Sequence, residues 1–171
     1  VCPMKRALVI FACLLHANLA WSAQYLLLAG HMIDVKEGKV LDEVTITVDG
    51  NRITAVEPGY TTPDKGQRVV DLRNHTVMPG LMDMHTHLIG DIQSNNVAAP
   101  LLSSAAQDVL GGVGNARATL RAGFTTVRDV GGPSFGLKRA IDEGIVAGPR
   151  IYPSGAIITV TSGHGDFRLP N

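Results

Sequence analysis

The sequence predicts an α/β protein, built from a small N-terminal β-sandwich and a following region in which parallel strands alternate with helices. Residues 44–48 alternate apolar and polar side chains and lead into an Asp-Gly-Asn turn, which indicates a β-hairpin. From Val77 onward, short apolar runs alternate with segments of helical periodicity, as in parallel βα units. The first of these runs, Pro79–His87, ends in two histidines one residue apart.

The composition is that of a folded protein without affinity for nucleic acid. With 171 residues, 45% of them hydrophobic, the chain is long enough to bury a core. Its formal net charge is zero and it has no stripe of basic residues, so a nucleic-acid partner is not expected. A small molecule or a dipeptide is the expected partner, and the sequence leaves a homo-oligomer open.

Residues 1–23 have the features of an export signal peptide. A Lys-Arg pair precedes the apolar stretch 7–15, and small residues allow cleavage after Ser22 or Ala23. The alternatives are an uncleaved membrane anchor, for which the apolar run is short, and a lipid-bearing Cys13. Cleavage would leave a mature chain without cysteine, which suits an oxidising compartment. We therefore expect an exported protein, periplasmic or extracellular, with no membrane attachment after signal cleavage.

Residues 24–76 are expected to form the β-sandwich. A β-rich segment opens this region, and the hairpin is followed by a turn-rich loop and one further strand. The predicted elements are the strand Tyr25–Ile33, the hairpin Glu43–Val56, the loop Gly59–Gly66, the strand Val69–Leu72 and a turn at Arg73–Thr76. His31 and His75 fall in this region, and we assign them no role.

Residues 77–171 are expected to contain three βα positions. Ser104 followed by Gln107 is the pattern of a capping box and predicts the start of a helix, which Gly123 should end. Three glycines inside this helix weaken it by about 1 kcal/mol each relative to alanine. The predicted elements are a strand ending near Leu88, the helix from Ser104 to Gly123, the strand Phe124–Val130, the helix Ser134–Glu143 and the strand Arg150–Ile158.

The strand that ends near Leu88 places its two histidines for metal binding. Side chains alternate along a strand, so Asp83, His85 and His87 are expected on one face, with the histidine Cα atoms about 7 Å apart. Neutral imidazole is a common zinc ligand, and both rings would reach one ion. A His-x-His pattern by itself favours strand histidines that bind no metal. Here the preceding Pro-Gly turn, and the Asp83 carboxylate expected on the same face, favour a metal site. Asp83 would either orient these ligands or pair with a neighbouring residue.

The histidine run resembles the first barrel strand of the amidohydrolase superfamily, which comprises metal-dependent hydrolases built on a (β/α)8 barrel. Further stretches narrow the resemblance to its Xaa-Pro dipeptidase-like and imidazolonepropionase-like branch. The stretches that carry the resemblance are Gly80–Leu88, Ala122–Gly131 and Gly148–Ile151. The resemblance implies that residues 77–171 are the first three βα units of an incomplete (β/α)8 TIM-type barrel, since a closed barrel needs eight strands. The chain would then be an N-terminal fragment of a larger enzyme.

The same resemblance implies a divalent metal, with zinc expected, as one or two ions that activate a water. It assigns His85 and His87 as metal ligands. The other ligands in such families are a lysine, two further histidines and an aspartate that also serves as general base, all from later strands. They match no residue of this chain, so we assign it no catalytic residue and expect it to be inactive alone.

Two further groups lie at predicted strand ends, where the active sites of such barrels are found. His164 stands between glycines that let the backbone approach a ligand, which makes it a candidate for substrate binding. The alternative for His164 is an exposed loop histidine. Arg128 and Asp129 end the second predicted strand, where a structural pair between them is favoured over contact with substrate.

The resemblance implies an exported amidohydrolase that cleaves an amide bond in a dipeptide or aminoacyl-amide substrate with a metal-activated water. One alternative is an imidazolonepropionase-type hydrolase of cyclic amides, against which the export signal argues. Another is a non-catalytic chain, either a degenerate copy or a binding module that keeps the β-sandwich. The substrate is open at this stage, because the later βα loops of such barrels build most of the pocket.

Overall fold

The computed structural model describes residues 24–89, 103–163 and 165–166 of the chain. Contacts divide the chain into two compact units, Val1–Pro79 and Gly80–Asn171. The predicted signal peptide lies outside the described residues, and the domain limits drawn from the sequence stay a prediction. Among the helices of the described ranges, none has the length and apolar character needed to cross a membrane.

Four strands form one mixed sheet in the first unit. The strands are β1 (Gln24–Asp34), β2 (Lys39–Asp49), β3 (Arg52–Pro58) and β4 (Arg68–Val77). In the sheet order β3-β2-β1-β4, the first three pair antiparallel and β4 joins β1 in parallel. The predicted hairpin is confirmed in β2 and β3, and Gly50 supplies the positive φ of 60° in its tight turn.

Buried side chains lie on both faces of the two central strands of this sheet. Cross-strand pairing puts Leu28 and Thr45 on one face, and Ala29 and Val44 on the other, and all four are buried. The Thr45 hydroxyl donates to the Gly59 carbonyl at 2.7 Å and so ties the following loop to the sheet. The strands described between residues 24 and 77 all belong to this one sheet, so the second sheet that a sandwich requires is not found there and the predicted sandwich is not confirmed.

Strand β4 is longer than the sequence predicted, and the turn expected at 73–76 is instead a bulge within it. Leu72 and Thr76 pair with β1 residues only two positions apart, so three residues of β4 lie opposite Gly30. A Cβ atom on Gly30 would lie 2.1 Å from the Arg73 carbonyl oxygen, so the close approach of the two strands requires glycine.

Three parallel strands and two helices form the second unit. The strands are β5 (Leu81–Thr86), β6 (Phe124–Asp129) and β7 (Arg150–Pro153), and the helices are α1 (Ala105–Arg121) and α2 (Phe135–Asp142). The sheet order is β5-β6-β7, and a helix lies between each pair of parallel neighbours in the sequence. The predicted α/β class is therefore confirmed, while the assignment of these units as the first three of an incomplete (β/α)8 barrel stays a prediction.

Two strands of this sheet are shorter than predicted. β5 ends at Thr86, because the Leu88 N–H donates to a side chain of β6 and no longer to a strand carbonyl. β7 ends at Pro153 and not at Ile158, since Gly155 adopts a φ of 83° that turns the chain out of the extended conformation.

The core of the second unit lies between the sheet and the helices. It consists of Leu88, Ala116, Val127, Leu137 and Ile151. Gly112 of α1 faces this core, and a Cβ atom there would lie 2.8 Å from Ile89 Cδ1 and 3.1 Å from Leu137 Cδ2. Close packing therefore explains one of the three glycines that weaken the helix.

The helix ends follow the signals in the sequence. Gln107 N donates to Ser104 Oγ and Ser104 N donates to Gln107 Oε1, both at 3.2 Å, which completes the predicted capping box. Gly123, with a φ of 94°, follows the end of α1. Helix α2 lies between its cap residues Ser134 and Glu143, as predicted.

Candidate metal centre

His85 and His87 present their imidazoles side by side at the end of β5. His85 is the penultimate residue of the strand, and His87 follows its last residue. The two ring centroids are 5.5 Å apart, and the ring planes meet at 72°. Both residues are exposed, so a ligand from solvent can reach both rings.

The separation of the rings fits two ligands of one zinc ion. An imidazole nitrogen binds zinc at about 2.1 Å, with its ring centroid about 3.2 Å from the ion, so two rings at a tetrahedral angle have centroids about 5.2 Å apart. The observed 5.5 Å is close to this value. Within the described ranges, no group of three or more His, Cys, Asp or Glu side chains is placed to hold an ion. Zinc sites use at least three protein ligands, so the two histidines would supply part of a set.

A one-residue bulge in β5 contains the first histidine. Asp83 pairs with Val127 of β6, but the next pair joins Thr86 to Asp129, so three steps along β5 match two along β6. Bulges re-aim side chains and are common beside active sites. The uniform alternation that predicted a shared face for Asp83 and the two histidines is therefore interrupted.

Asp83 contacts the backbone of a candidate ligand. Its Oδ1 accepts a hydrogen bond from the His85 N–H at 3.0 Å. The carboxylate therefore supplies an acceptor to a backbone N–H beside the bulge. Asp83 thus holds His85 through its main chain, and an effect of this contact on a metal ligand stays a prediction.

In the described structure, Arg128 and Asp129 do not form the pair that the sequence predicted. Consecutive strand residues point to opposite faces, which leaves Arg128 exposed and Asp129 fully buried. Arg128 Nε donates to the Met84 carbonyl at 2.8 Å. Asp129 Oδ1 accepts from the Leu88 N–H at 2.8 Å, while its buried Oδ2 has no hydrogen-bond partner among the described residues. The two side chains therefore contact the backbone before and after the histidines.

Two further residues near the histidines were not identified from the sequence. Asn115 of α1 donates through Nδ2 to the Leu88 carbonyl at 2.8 Å. Gly131 is buried, and a Cβ atom there would lie 3.3 Å from His87 Nδ1 and 2.7 Å from Ile157 Cγ1. The signals for them were weak: a polar residue beside an apolar helix stripe, and a Gly-Gly pair after a strand.

His164 lies outside the described residues. Its neighbours form a tight turn, in which the Ser162 N–H donates to Asp166 Oδ2 at 3.0 Å and the Asp166 N–H donates to the Gly163 carbonyl at 2.9 Å. Ser162 adopts a positive φ of 60° in this turn. Contact between His164 and a substrate stays a prediction.

Comparison with known proteins identifies a family and a similar solved structure. Residues 76–169 match the sequence model of the amidohydrolase family. The crystal structure of a Xaa-Pro dipeptidase with bound methionine in the active site is similar, with a TM-score of 0.76 and 38% identity. The similarity covers 84% of this chain and 36% of that chain.

Two curated relatives are similar in sequence. Ochratoxinase from Aspergillus niger is 32% identical over 142 residues, which are 78% of this chain and 29% of that protein. Imidazolonepropionase from Alkaliphilus metalliredigens is 32% identical over 94 residues, which are 52% of this chain and 22% of that protein. The chain therefore spans about a third or less of the length of these relatives. The resemblance to dipeptidase-like and imidazolonepropionase-like proteins is confirmed.

Proposed function

Because the chain belongs to the amidohydrolase family, we propose that the protein is an exported, metal-dependent hydrolase that cleaves an amide bond in a dipeptide or an aminoacyl amide. The observation that carries this proposal is the pair of exposed imidazoles on His85 and His87, whose ring centroids are 5.5 Å apart. The sequence of residues 1–23, with its basic and apolar regions, supports a periplasmic or extracellular location.

In this proposal His85 and His87 hold a divalent ion, zinc by preference, through one neutral nitrogen of each ring. A bound divalent ion lowers the pKa of a water molecule and polarises the scissile carbonyl. Asp83 keeps the His85 main chain in place through its 3.0 Å hydrogen bond, and so helps to direct that imidazole. In this proposal the other ligands and the general base come from later strands, as the family resemblance implies, and the number of ions depends on them.

A dipeptide or aminoacyl amide is the proposed substrate because the similarity to a dipeptidase is the more extensive. The Xaa-Pro dipeptidase structure shares 38% identity over 84% of the chain, whereas the imidazolonepropionase match extends over 52%. Within this chain His164, which stands between Gly163 and Gly165, is the proposed contact for the substrate.

The test uses the full-length gene product, loaded with zinc and assayed against a panel of Xaa-Pro dipeptides and aminoacyl amides. His85→Ala and His87→Ala are each expected to lose most of the bound metal and nearly all turnover. His31→Ala is the matched control, because His31 is an exposed histidine on β1 whose ring contacts Asp42 at 2.7 Å. Metal content and turnover equal to those of the control in both variants would remove the proposal.

Hydrolysis of a cyclic amide of the imidazolonepropionase type is the second candidate, supported by the 32% identity to that enzyme over 94 residues. Adding imidazolone propionate to the panel separates the two candidates, since hydrolysis of this compound alone would favour the second. Metal binding without hydrolysis of any panel member would favour the third interpretation, a non-catalytic chain.

A further inference from the structure

Side chains of other positions hold the backbone from Met84 to Leu88, which we call the histidine segment. Backbone polar groups of a parallel strand normally pair with the backbone of its neighbours. Here four side-chain contacts of 2.8 to 3.0 Å bind backbone groups of the segment. They are Asp83 Oδ1 with His85 N, Arg128 Nε with Met84 O, Asp129 Oδ1 with Leu88 N, and Asn115 Nδ2 with Leu88 O.

Arg128 holds the peptide plane that precedes His85. The Met84 carbonyl and the His85 N–H belong to that one plane, and Arg128 binds the carbonyl while Asp83 binds the N–H. The Arg128 carbonyl in turn accepts the Thr86 hydroxyl at 3.2 Å, so β6 is tied to the bulge in both directions. A charged donor makes a stronger hydrogen bond than a neutral one, and the planar guanidinium keeps its direction.

Asp129 holds the peptide plane that follows His87. The Leu88 N–H lies in that plane and donates to Asp129 Oδ1 at 2.8 Å. Both partners are fixed from elsewhere, because the Asp129 side chain is fully buried and the Leu88 side chain is packed into the core. A buried hydrogen bond to a carboxylate is costly to break, so this plane has little freedom to rotate.

We propose that Arg128 and Asp129 are positioning residues, which set the directions of the His85 and His87 imidazoles by fixing the peptide planes before and after them. This inference rests on the proposed metal site. Metal–ligand distances must be kept within about 0.2 Å, so a small rotation of either plane takes a ring nitrogen out of range. In this assignment neither residue touches the ion or the substrate.

The experiment compares variants of the full-length protein. Arg128→Met removes the donor and keeps the apolar stem, whereas Arg128→Lys keeps the charge without the planar fork. We measure the zinc dissociation constant by competition with a chelator and, on cobalt-substituted protein, the visible absorption that reports ligand geometry. Arg128→Met is expected to bind zinc about 10- to 100-fold more weakly, as is usual when an outer contact of a metal ligand is removed, with a changed cobalt spectrum. Arg128→Lys should lie between this variant and the wild type.

Arg150→Met is the matched control, because Arg150 is exposed at the start of β7, where it pairs with Thr126. A zinc affinity and cobalt spectrum of Arg128→Met equal to those of this control would overturn the inference. His85→Ala is measured alongside. If His85→Ala loses metal while Arg128→Met binds zinc like the wild type, the inference fails and the proposed function stands. Metal retained by both His85→Ala and His87→Ala would overturn the inference and the proposed function together. Should Arg128→Met not fold, Asp129→Ala, which removes the acceptor of the Leu88 N–H, decides on the same readouts, and unchanged values again overturn the inference.

Discussion

At the scale of single residues, an exposed ion pair joins Arg73, in the bulge of β4, to Asp71, which precedes the bulge. Arg73 binds both carboxylate oxygens of Asp71, through Nε at 2.9 Å and Nη2 at 2.6 Å. These side-chain hydrogen bonds, followed by one from the Arg73 N–H, lower the pKa of Asp71 from 3.8 to about 2. Arg73, which the sequence placed at the start of a turn, therefore forms an ordered ionic contact within a strand.

The pair gives a prediction on pH dependence. Because the pKa of Asp71 is lower in the folded protein, its contribution to stability is complete above the ordinary value of 3.8 and is lost as the pH falls towards 2. Arg73→Gln is expected to return the Asp71 pKa towards 3.8, measured by NMR titration of the carboxyl group. Arg68→Gln on the same strand is the control, since Arg68 donates to the Tyr25 hydroxyl. A pKa that stays near 2 in Arg73→Gln would show that another group holds the carboxylate.

At the scale of elements, two glycines of α1 meet different surroundings. A Cβ atom on Gly112 would lie 2.8 Å from Ile89 Cδ1 and 3.2 Å from the Leu88 carbonyl oxygen, whereas one on Gly114 would have no packing neighbour within 4 Å in the part of the chain that the structure describes. Alanine is a better helix former than glycine by about 1 kcal/mol, but overpacking a core costs about 1–3 kcal/mol. At Gly114 only the gain in helix propensity applies, whereas at Gly112 the cost of overpacking opposes that gain.

We expect Gly114→Ala to raise the free energy of unfolding by about 1 kcal/mol and Gly112→Ala to lower it by about 1 kcal/mol. Urea unfolding of the full-length protein measures both, and each variant is the control for the other because the substitution and the helix are the same. Equal changes at the two positions would contradict the packing assigned to Gly112.

Local patterns predicted the elements that depend on neighbouring residues. The capping box of Ser104 and Gln107, the end of α1 at Gly123 and the turn at Gly50 each rest on a few consecutive positions, and each is present in the structure. The two histidines could be identified for the same reason, since their spacing along one strand carries the signal.

Contacts between distant positions could not be predicted in this way. Arg128 and Met84 are 44 residues apart, and their contact depends on a bulge whose place is set by the register of two strands. Without that register, adjacent arginine and aspartate suggested a pair between Arg128 and Asp129. The bulge opposite Gly30 was missed for the same physical reason, because it exists only through the pairing of β4 with β1.

At the scale of the whole molecule, the second unit exposes apolar surface and open strand edges. Within the described residues, β5 and β7 are each paired along one edge only. The exposed apolar side chains of this unit include Met82, Met84, Tyr152 and Ile158. Unpaired edges and apolar patches both promote association between chains.

Expressed alone as residues 24–171, the chain is therefore expected to associate and to hydrolyse no substrate. Size-exclusion chromatography with light scattering measures its mass. Ile158→Glu should raise the monomer fraction because Ile158 is 100% exposed, and Thr159→Glu, which adds the same charge at a neighbouring exposed polar residue, is the control. A monomer that melts cooperatively would contradict this expectation and favour the interpretation as a binding module.

The contacts around the histidine segment also have a consequence for biosynthesis. A nascent chain that has grown to Leu88 already contains both histidines, but Asp129 lies 41 residues beyond Leu88. The directions of the two imidazoles are set only once β6 has been synthesised, has left the ribosome and has paired with β5. If the protein is exported, as proposed, and folds after it crosses the membrane, metal would be acquired in the receiving compartment. The zinc concentration there, and not that of the cytoplasm, would decide how much of the protein is loaded.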